Sequence, residues 1–211
     1  YYILQPQVSF VLMDQHTGYV KAVNGGRGTK EISLSLNRAT NTLRQPGSTF
    51  KVLTAFAPAL DTCGATLSTV YYDAPYTVGQ KTFRNWYAKK GYMGYSTIRD
   101  GIVYSMNIVA VRCMMETVTP QLGVEYARNL GITSLTETDY NAATALGGIT
   151  KGVSNLELTG AYAAIANGGI YTKPVFFTKI LDHNGKVLLE NEPQTKRVLK
   201  DSTAFLLTDA L

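Results

Sequence analysis

Ser48-Thr49-Phe50-Lys51 sets a hydroxyl and an amine three residues apart. On a helix such positions share a face about one turn apart, so Lys51 can reach the hydroxyl of Ser48. A serine hydroxyl is a weak nucleophile until a base takes its proton. Lysine serves as that base when burial or a neighbouring cation lowers its pKa. The start of a helix adds free backbone N–H groups that face a developing oxyanion. The chemistry this set supports is nucleophilic catalysis by an activated serine. The tetrapeptide alone decides nothing: with Ser and Lys each at roughly 6–7% of residues, S-x-x-K arises about once by chance in a chain of 211. It occurs once here.

Ser105-Met106-Asn107 supplies a second hydroxyl and an amide. A second serine can relay a proton to a leaving group, and an Asn amide orients a substrate amide because it both donates and accepts. Ser35-Leu36-Asn37 repeats the spacing, but it precedes Ser48 in a segment with no helix boundary and is read as chance.

The elements that must hold these groups follow from punctuation and period. Pro46-Gly47 breaks the chain, and Ser48 opens a stretch in which Phe50, Leu53, Ala57 and Leu60 share one stripe. The spacing predicts a helix from Ser48, kinked in its last turn by Pro58. Residues 97–104 and Ile108–Thr117 read as helices on either side of Ser105-Met106-Asn107. Pro120 starts another, ending near Gly131. Ser154 and Glu157 form a capping box before an Ala-rich helix stopped by Gly168-Gly169. Asp201 or Ser202 starts a last helix. Two hairpins are expected, Val8–Met13 with Tyr19–Val23, and Val175–Leu181 with Lys186–Leu189. Residues 29–45 read as a connection and 61–95 as a long irregular excursion. Its Tyr-rich part with Trp86 either lines a substrate groove or packs as a surface loop. Strand pairs around a helical block give an α+β domain, helices packed on an antiparallel sheet.

Apolar residues make up 45% and charged residues 17% of the chain, which excludes a disordered or fibrous protein. No apolar run is long enough for a membrane span. The net charge is +5, but the cations are scattered, with Lys89-Lys90 and Lys196-Arg197 the adjacent pairs, which speaks against nucleic acid. His16 and His183 lie beside turn residues, and Cys63 and Cys113 lack metal-ligand spacing, so no metal site is expected. The first residue is not Met, and the last helix has no stop signal before Leu211. The expectation is a single domain over residues 1–211, cut from a longer protein and incomplete at its C-terminus.

Arg44-Gln45-Pro46-Gly47-Ser48-Thr49-Phe50-Lys51 resembles the nucleophile segment of the penicillin-binding proteins, in particular the bifunctional class A enzymes. Val11–Gly18 with Gly25-Gly26, Asn37-Arg38-Ala39-Thr40 and Ser105-Met106-Asn107 resemble the same family, in its order. So do Gly152-Val153-Ser154 with Leu156-Glu157, and Ala161–Gly169 with Lys173-Pro174. Tyr104 departs from the Gln that many relatives carry. The family's K-[ST]-G strand is not present; His16-Thr17-Gly18 is rejected as its substitute because it precedes Ser48.

The resemblance implies the penicillin-binding protein and serine β-lactamase-like transpeptidase fold, here without its C-terminal strands. It implies a peptidoglycan D,D-transpeptidase that forms an acyl-enzyme with D-Ala-D-Ala stem peptides and is acylated by β-lactams. Ser48 would be the nucleophile, Lys51 the base, Ser105 the proton shuttle and Asn107 the group that positions the substrate amide. No cofactor is implied. The place implied is the outer face of the bacterial cytoplasmic membrane, with an anchor outside this chain. The missing strand would carry half the oxyanion hole, and losing one such donor costs about 10²–10³ in rate, so this chain alone is expected to acylate slowly or not at all. Two alternatives stay open: a serine β-lactamase or D,D-carboxypeptidase, and a non-catalytic β-lactam-sensing domain.

Overall fold

The computed structural model describes residues 5–211. The chain opens with β1 (Phe10–Met13) and β2 (Val20–Asn24), an antiparallel hairpin. Its turn is fixed by Asp14, which accepts the N–H groups of His16 and Thr17, and by Gly18 at φ +74°. The segment read as a plain connection holds a short helix, α1 (Arg38–Asn41). Asn37 Oδ1 caps it by accepting the Ala39 N–H at 3.0 Å, so the amide of the second S-x-N triplet serves as a cap.

The helical rod carrying Ser48 starts as one 3-10 turn, Gly47–Thr49, widens to a π turn over Val52–Phe56 and ends as α2 (Ala57–Asp61). The expected kink at Pro58 is resolved by that wide turn. Proline has no N–H to offer Thr54 four residues back, and its ring crowds that carbonyl; in the wide turn before it the Ala57 N–H reaches five residues back to Val52 O. The stripe read from the sequence understates the burial: Lys51 to Ala59 is buried without a break. A helix enclosed on all sides is a core helix, and Lys51 is the one charged residue in that run.

Residues 61–95 are more ordered than expected. β3 (Val70–Asp73) pairs with β6 (Gly94–Thr97), enclosing a hairpin of β4 (Tyr76–Val78) and β5 (Lys81–Phe83). Then α3 (Ile98–Val103) begins in a Thr97/Asp100 capping box, and α4 (Asn107–Arg112) runs into a π-helical stretch, Cys113–Val118. α5 (Pro120–Asn129) lies against the rod, where Gly123 meets the Thr54 carbonyl. α6 (Asn155–Ala166) starts in the predicted Ser154/Glu157 box. It packs on β1, on β7 (Ile170–Thr172) and on α7 (Asp201–Ala210). Between β7 and α7 come the exposed hairpin β8 (Lys179–Leu181) and β9 (Val187–Glu190), then β10 (Thr195–Arg197), which pairs with β7.

The result is an α+β domain. Among the described residues the strands form five two-stranded antiparallel ladders instead of one broad sheet. Phe50, Leu53, Phe56, Ile98, Ile108 and Met114 fill the core around the rod. No helix of the described residues is long and apolar enough to cross a membrane. Cys63 and Cys113 are both free thiols.

Candidate active site

The lead-in to Ser48 is clamped before the helix begins. Arg44 bridges Val153, its N–H bonding to Val153 O at 2.9 Å and its carbonyl accepting in return at 2.8 Å. Gln45 then makes a reciprocal pair with Ile149: Nε2 donates to the Ile149 carbonyl, and the Ile149 N–H donates to Oε1 at 2.9 Å. Gly147 lies against the Gly47 backbone at φ +74°, a spot with no room for a Cβ. The 147–153 loop is fixed in turn by the buried Asp139 carboxylate, which accepts from the N–H and hydroxyl of Thr150.

On this base Ser48 is exposed, while Lys51, one turn below it, is 2% exposed. Burial pushes the Lys51 amine down from 10.5 to about 8. Its Nζ donates to the Ser105 carbonyl at 2.6 Å, to Ser105 Oγ at 3.0 Å and to Asn107 Oδ1 at 2.7 Å. Two of these acceptors, the carbonyl and the amide oxygen, can only accept. The hydroxyl can do either. A neutral Lys51 therefore keeps two N–H groups on the fixed acceptors and has one lone pair to offer a hydroxyl.

Ser105 is held in an unusual conformation to do this. Its φ is +49°, in the left-handed region that non-glycine residues avoid. Ser105 N–H bonds to Ile102 O at 3.1 Å and Met106 N–H to Gly101 O at 2.9 Å. That pair of bonds is a Schellman stop to α3, with serine at the position usually given to glycine. The turn brings both the carbonyl and the hydroxyl of Ser105 onto Lys51.

Ser48, Lys51, Phe56, Ser105 and Tyr162 line a cleft of about 240 Å³. Tyr162, from α6, donates its hydroxyl to Thr49 O at 2.7 Å. Burial pushes its phenol up to about 12, so it stays neutral. The structure brings all four residues singled out in the sequence into one place. Ser35 stays apart. Three contributors had no site role from the sequence: Tyr162 and the Gln45 clamp, which lie inside stretches that carry the resemblance, and the Arg84-Asn85 pair that touches the start of α4. The exposed Trp86 joins the 61–95 excursion to the site by donating Nε1 to Tyr104 O at 3.2 Å.

Residues 8–211 match the family model described as the penicillin binding protein transpeptidase domain. The chain belongs to the penicillin-binding protein transpeptidase family. It is 37% identical over 222 residues to penicillin-binding protein 1A of Clostridium tetani, covering 99% of this chain and 28% of that protein. Penicillin-binding protein 1F of Bacillus subtilis is 35% identical over 204 residues, covering 96% and 27%. The chain thus spans little more than a quarter of the length of these relatives. The solved penicillin-binding protein PonA1 from Mycobacterium tuberculosis superposes with a TM-score of 0.83 at 27% identity, covering 96% of this chain and 53% of that one. PonA1 has also been solved in complex with penicillin V. The transpeptidase fold expected from the sequence is therefore the one observed.

Proposed function

We propose that the chain carries the acylation centre of a serine D,D-transpeptidase. Ser48 Oγ attacks the carbonyl between the two terminal D-alanines of a peptidoglycan stem peptide. Lys51 accepts the hydroxyl proton. The Ser48 N–H, among the first of its helix and without an intrahelical acceptor, faces the oxyanion. Ser105 passes a proton from Lys51 to the departing D-alanine amine. An amine from a second stem peptide then takes the acyl group and frees Ser48. Asn107 keeps one N–H and one lone pair beyond its contacts with Arg84 and Lys51, and these serve the substrate amide. β-Lactams enter the same path and stop at the ester. The cellular setting that goes with this reading is the envelope side of the bacterial cytoplasmic membrane.

The observation that carries the reading is the buried, pKa-lowered Lys51 wired to Ser105 and Asn107 beneath an exposed Ser48. Glu157 supports transfer over hydrolysis. Its two oxygens accept from Ser154 and Thr133, each through N–H and hydroxyl. Burial raises its carboxyl, but those bonds outweigh it and hold it below the usual range. A carboxylate so occupied is a poor base for activating water.

The test is labelling of the whole gene product with fluorescent penicillin, with the adduct mapped by mass spectrometry. The expected result is an adduct on Ser48 that disappears in Ser48→Ala, with no sustained turnover of a chromogenic cephalosporin. Labelling of Ser48→Ala would overturn the assignment, and sustained turnover would favour a β-lactamase.

A further inference from the structure

Asp73 ends β3 and is 1% exposed. A buried carboxylate is costly unless it is hydrogen-bonded. Asp73 accepts three bonds: one oxygen takes Asn85 Nδ2 at 2.5 Å, and the other takes the Tyr87 hydroxyl at 3.0 Å and the Met93 N–H at 2.9 Å. With its Nδ2 committed to Asp73 and, at 3.0 Å, to the Tyr87 hydroxyl, Asn85 must turn Oδ1 the other way. There it accepts the N–H of Ile108 at 3.1 Å, one of the first-turn donors of α4 that lack a helical partner. One residue earlier, the Arg84 carbonyl accepts Asn107 Nδ2 at 2.9 Å. Consecutive residues 84 and 85 thus grip consecutive residues 107 and 108.

The grip fixes which end of the Asn107 amide meets Lys51. Flipping that amide would set Oδ1 against the Arg84 carbonyl and Nδ2 against the Lys51 ammonium, one repulsion at each end. We infer that Asp73 and Asn85 are positioning residues, which act through Asn107 to hold an acceptor on Lys51. The inference rests on the transpeptidase reading for its consequence in rate, and on geometry alone for its effect on Lys51. The groups facing Lys51 are Ser48 on its own rod, Ser105 and Asn107 across from it, and the neutral Tyr162 in the shared cleft.

Asp73→Asn isolates this role. The new amide keeps an oxygen for Tyr87 and Met93, so the loop stays tied. Its nitrogen then confronts Asn85 Nδ2, donor against donor. The double variant Asp73→Asn with Asn85→Asp restores the pairings that turn residue 85 toward Ile108, because the new carboxylate accepts from both residue 73 and Ile108; it gives up only the bond from residue 85 to the Tyr87 hydroxyl.

The experiment is a pH titration of the Lys51 ε-carbon by 13C NMR in the full chain, paired with the rate of Ser48 acylation by penicillin in the whole gene product. Asp73→Asn should lower the Lys51 midpoint by about half a pH unit or more, since an acceptor that favours the ammonium withdraws. It should slow acylation about tenfold, and the double variant should recover both. A structural tie alone would lower thermal stability and leave the midpoint in place. An unchanged midpoint in Asp73→Asn, or a double variant that folds without recovering it, overturns the inference. Should the double variant fail to fold, the Asp73→Asn midpoint decides on its own. Absence of acylation in the wild type would defeat the transpeptidase reading, while the Lys51 titration would still decide this one.

Discussion

Lys51 Nζ touches both oxygens of Ser105, the carbonyl at 2.6 Å and the hydroxyl at 3.0 Å. Ser105 presents both from a left-handed backbone, at φ +49°. A helix stop that glycine would make without strain is made here by the residue whose hydroxyl the proposed chemistry needs.

Ser105→Gly therefore separates stability from activity. Glycine relieves a left-handed conformation that costs on the order of 1–3 kcal/mol. Some of that gain is lost to the greater entropy of an unfolded glycine. The net expectation is a gain of about 1 kcal/mol in urea unfolding, together with a 10²–10⁴-fold loss of acylation, roughly the worth of a positioned proton-transfer group. Ser105→Ala should lose the same activity and gain no stability.

Gly123→Ala sets two rules against each other. Alanine in a helix interior is favoured over glycine by about 1 kcal/mol. At Gly123 a Cβ would run into the Thr54 carbonyl and the Met114 side chain. The methionine can move, but the carbonyl belongs to the buried rod and cannot. Overpacking of this kind costs typically 1–3 kcal/mol, so the expected sign is destabilising, by up to about 2 kcal/mol net. Chemical denaturation checks it, and a more stable variant would refute the close contact.

Gln45→Glu should loosen the approach to Ser48. The carboxylate still accepts the Ile149 N–H but meets the Ile149 carbonyl as a second acceptor. Losing one hydrogen bond and adding a repulsion is worth about 1–2 kcal/mol. A fall of about tenfold in acylation is expected, with a drop of about 2–8 °C in melting temperature. Stopped-flow acylation kinetics beside a thermal melt provide the check.

Lys51 also leaves a mark on stability against pH. Its amine is lowered from 10.5 to about 8 by burial. Between those values the unfolded chain holds a proton that the folded chain lacks, so stability rises with pH across that window and this contribution is flat below it. The full difference is about 3 kcal/mol. Lys51→Met should lack this rise, and the difference between the two stability curves from pH 7 to 10.5 isolates it. Parallel curves would mean that Lys51 is not desolvated.

The parts legible in the sequence are those written in local chemistry. Ser154 and Glu157 announce a capping box and form one. Asp14 to Gly18 announces a turn, and the two expected hairpins are present. Lys51, Ser105 and Asn107 meet through hydrogen bonds, and Ser48 lines the same cleft as Lys51 and Ser105. The strands within 70–97 were hidden because β3 alternates a buried tyrosine with a buried carboxylate, Tyr71 and Asp73, so no apolar period betrays the inward face. The Schellman stop at Ser105 was hidden because it lacks glycine. Asn85 was hidden because its task is set by partners 12 and 23 positions away in the chain, a relation that no local pattern encodes.

The pH dependence of Ser48 acylation tests the central claim most directly. With Lys51 as the base and its amine near 8, the rate of penicillin acylation in the whole gene product should climb about tenfold per pH unit below that point and level off above it. Lys51→Arg, which cannot give up its proton, should lose the climb and most of the rate. A profile that is flat from about pH 6 to 9, or one that Lys51→Arg leaves intact, would contradict the account.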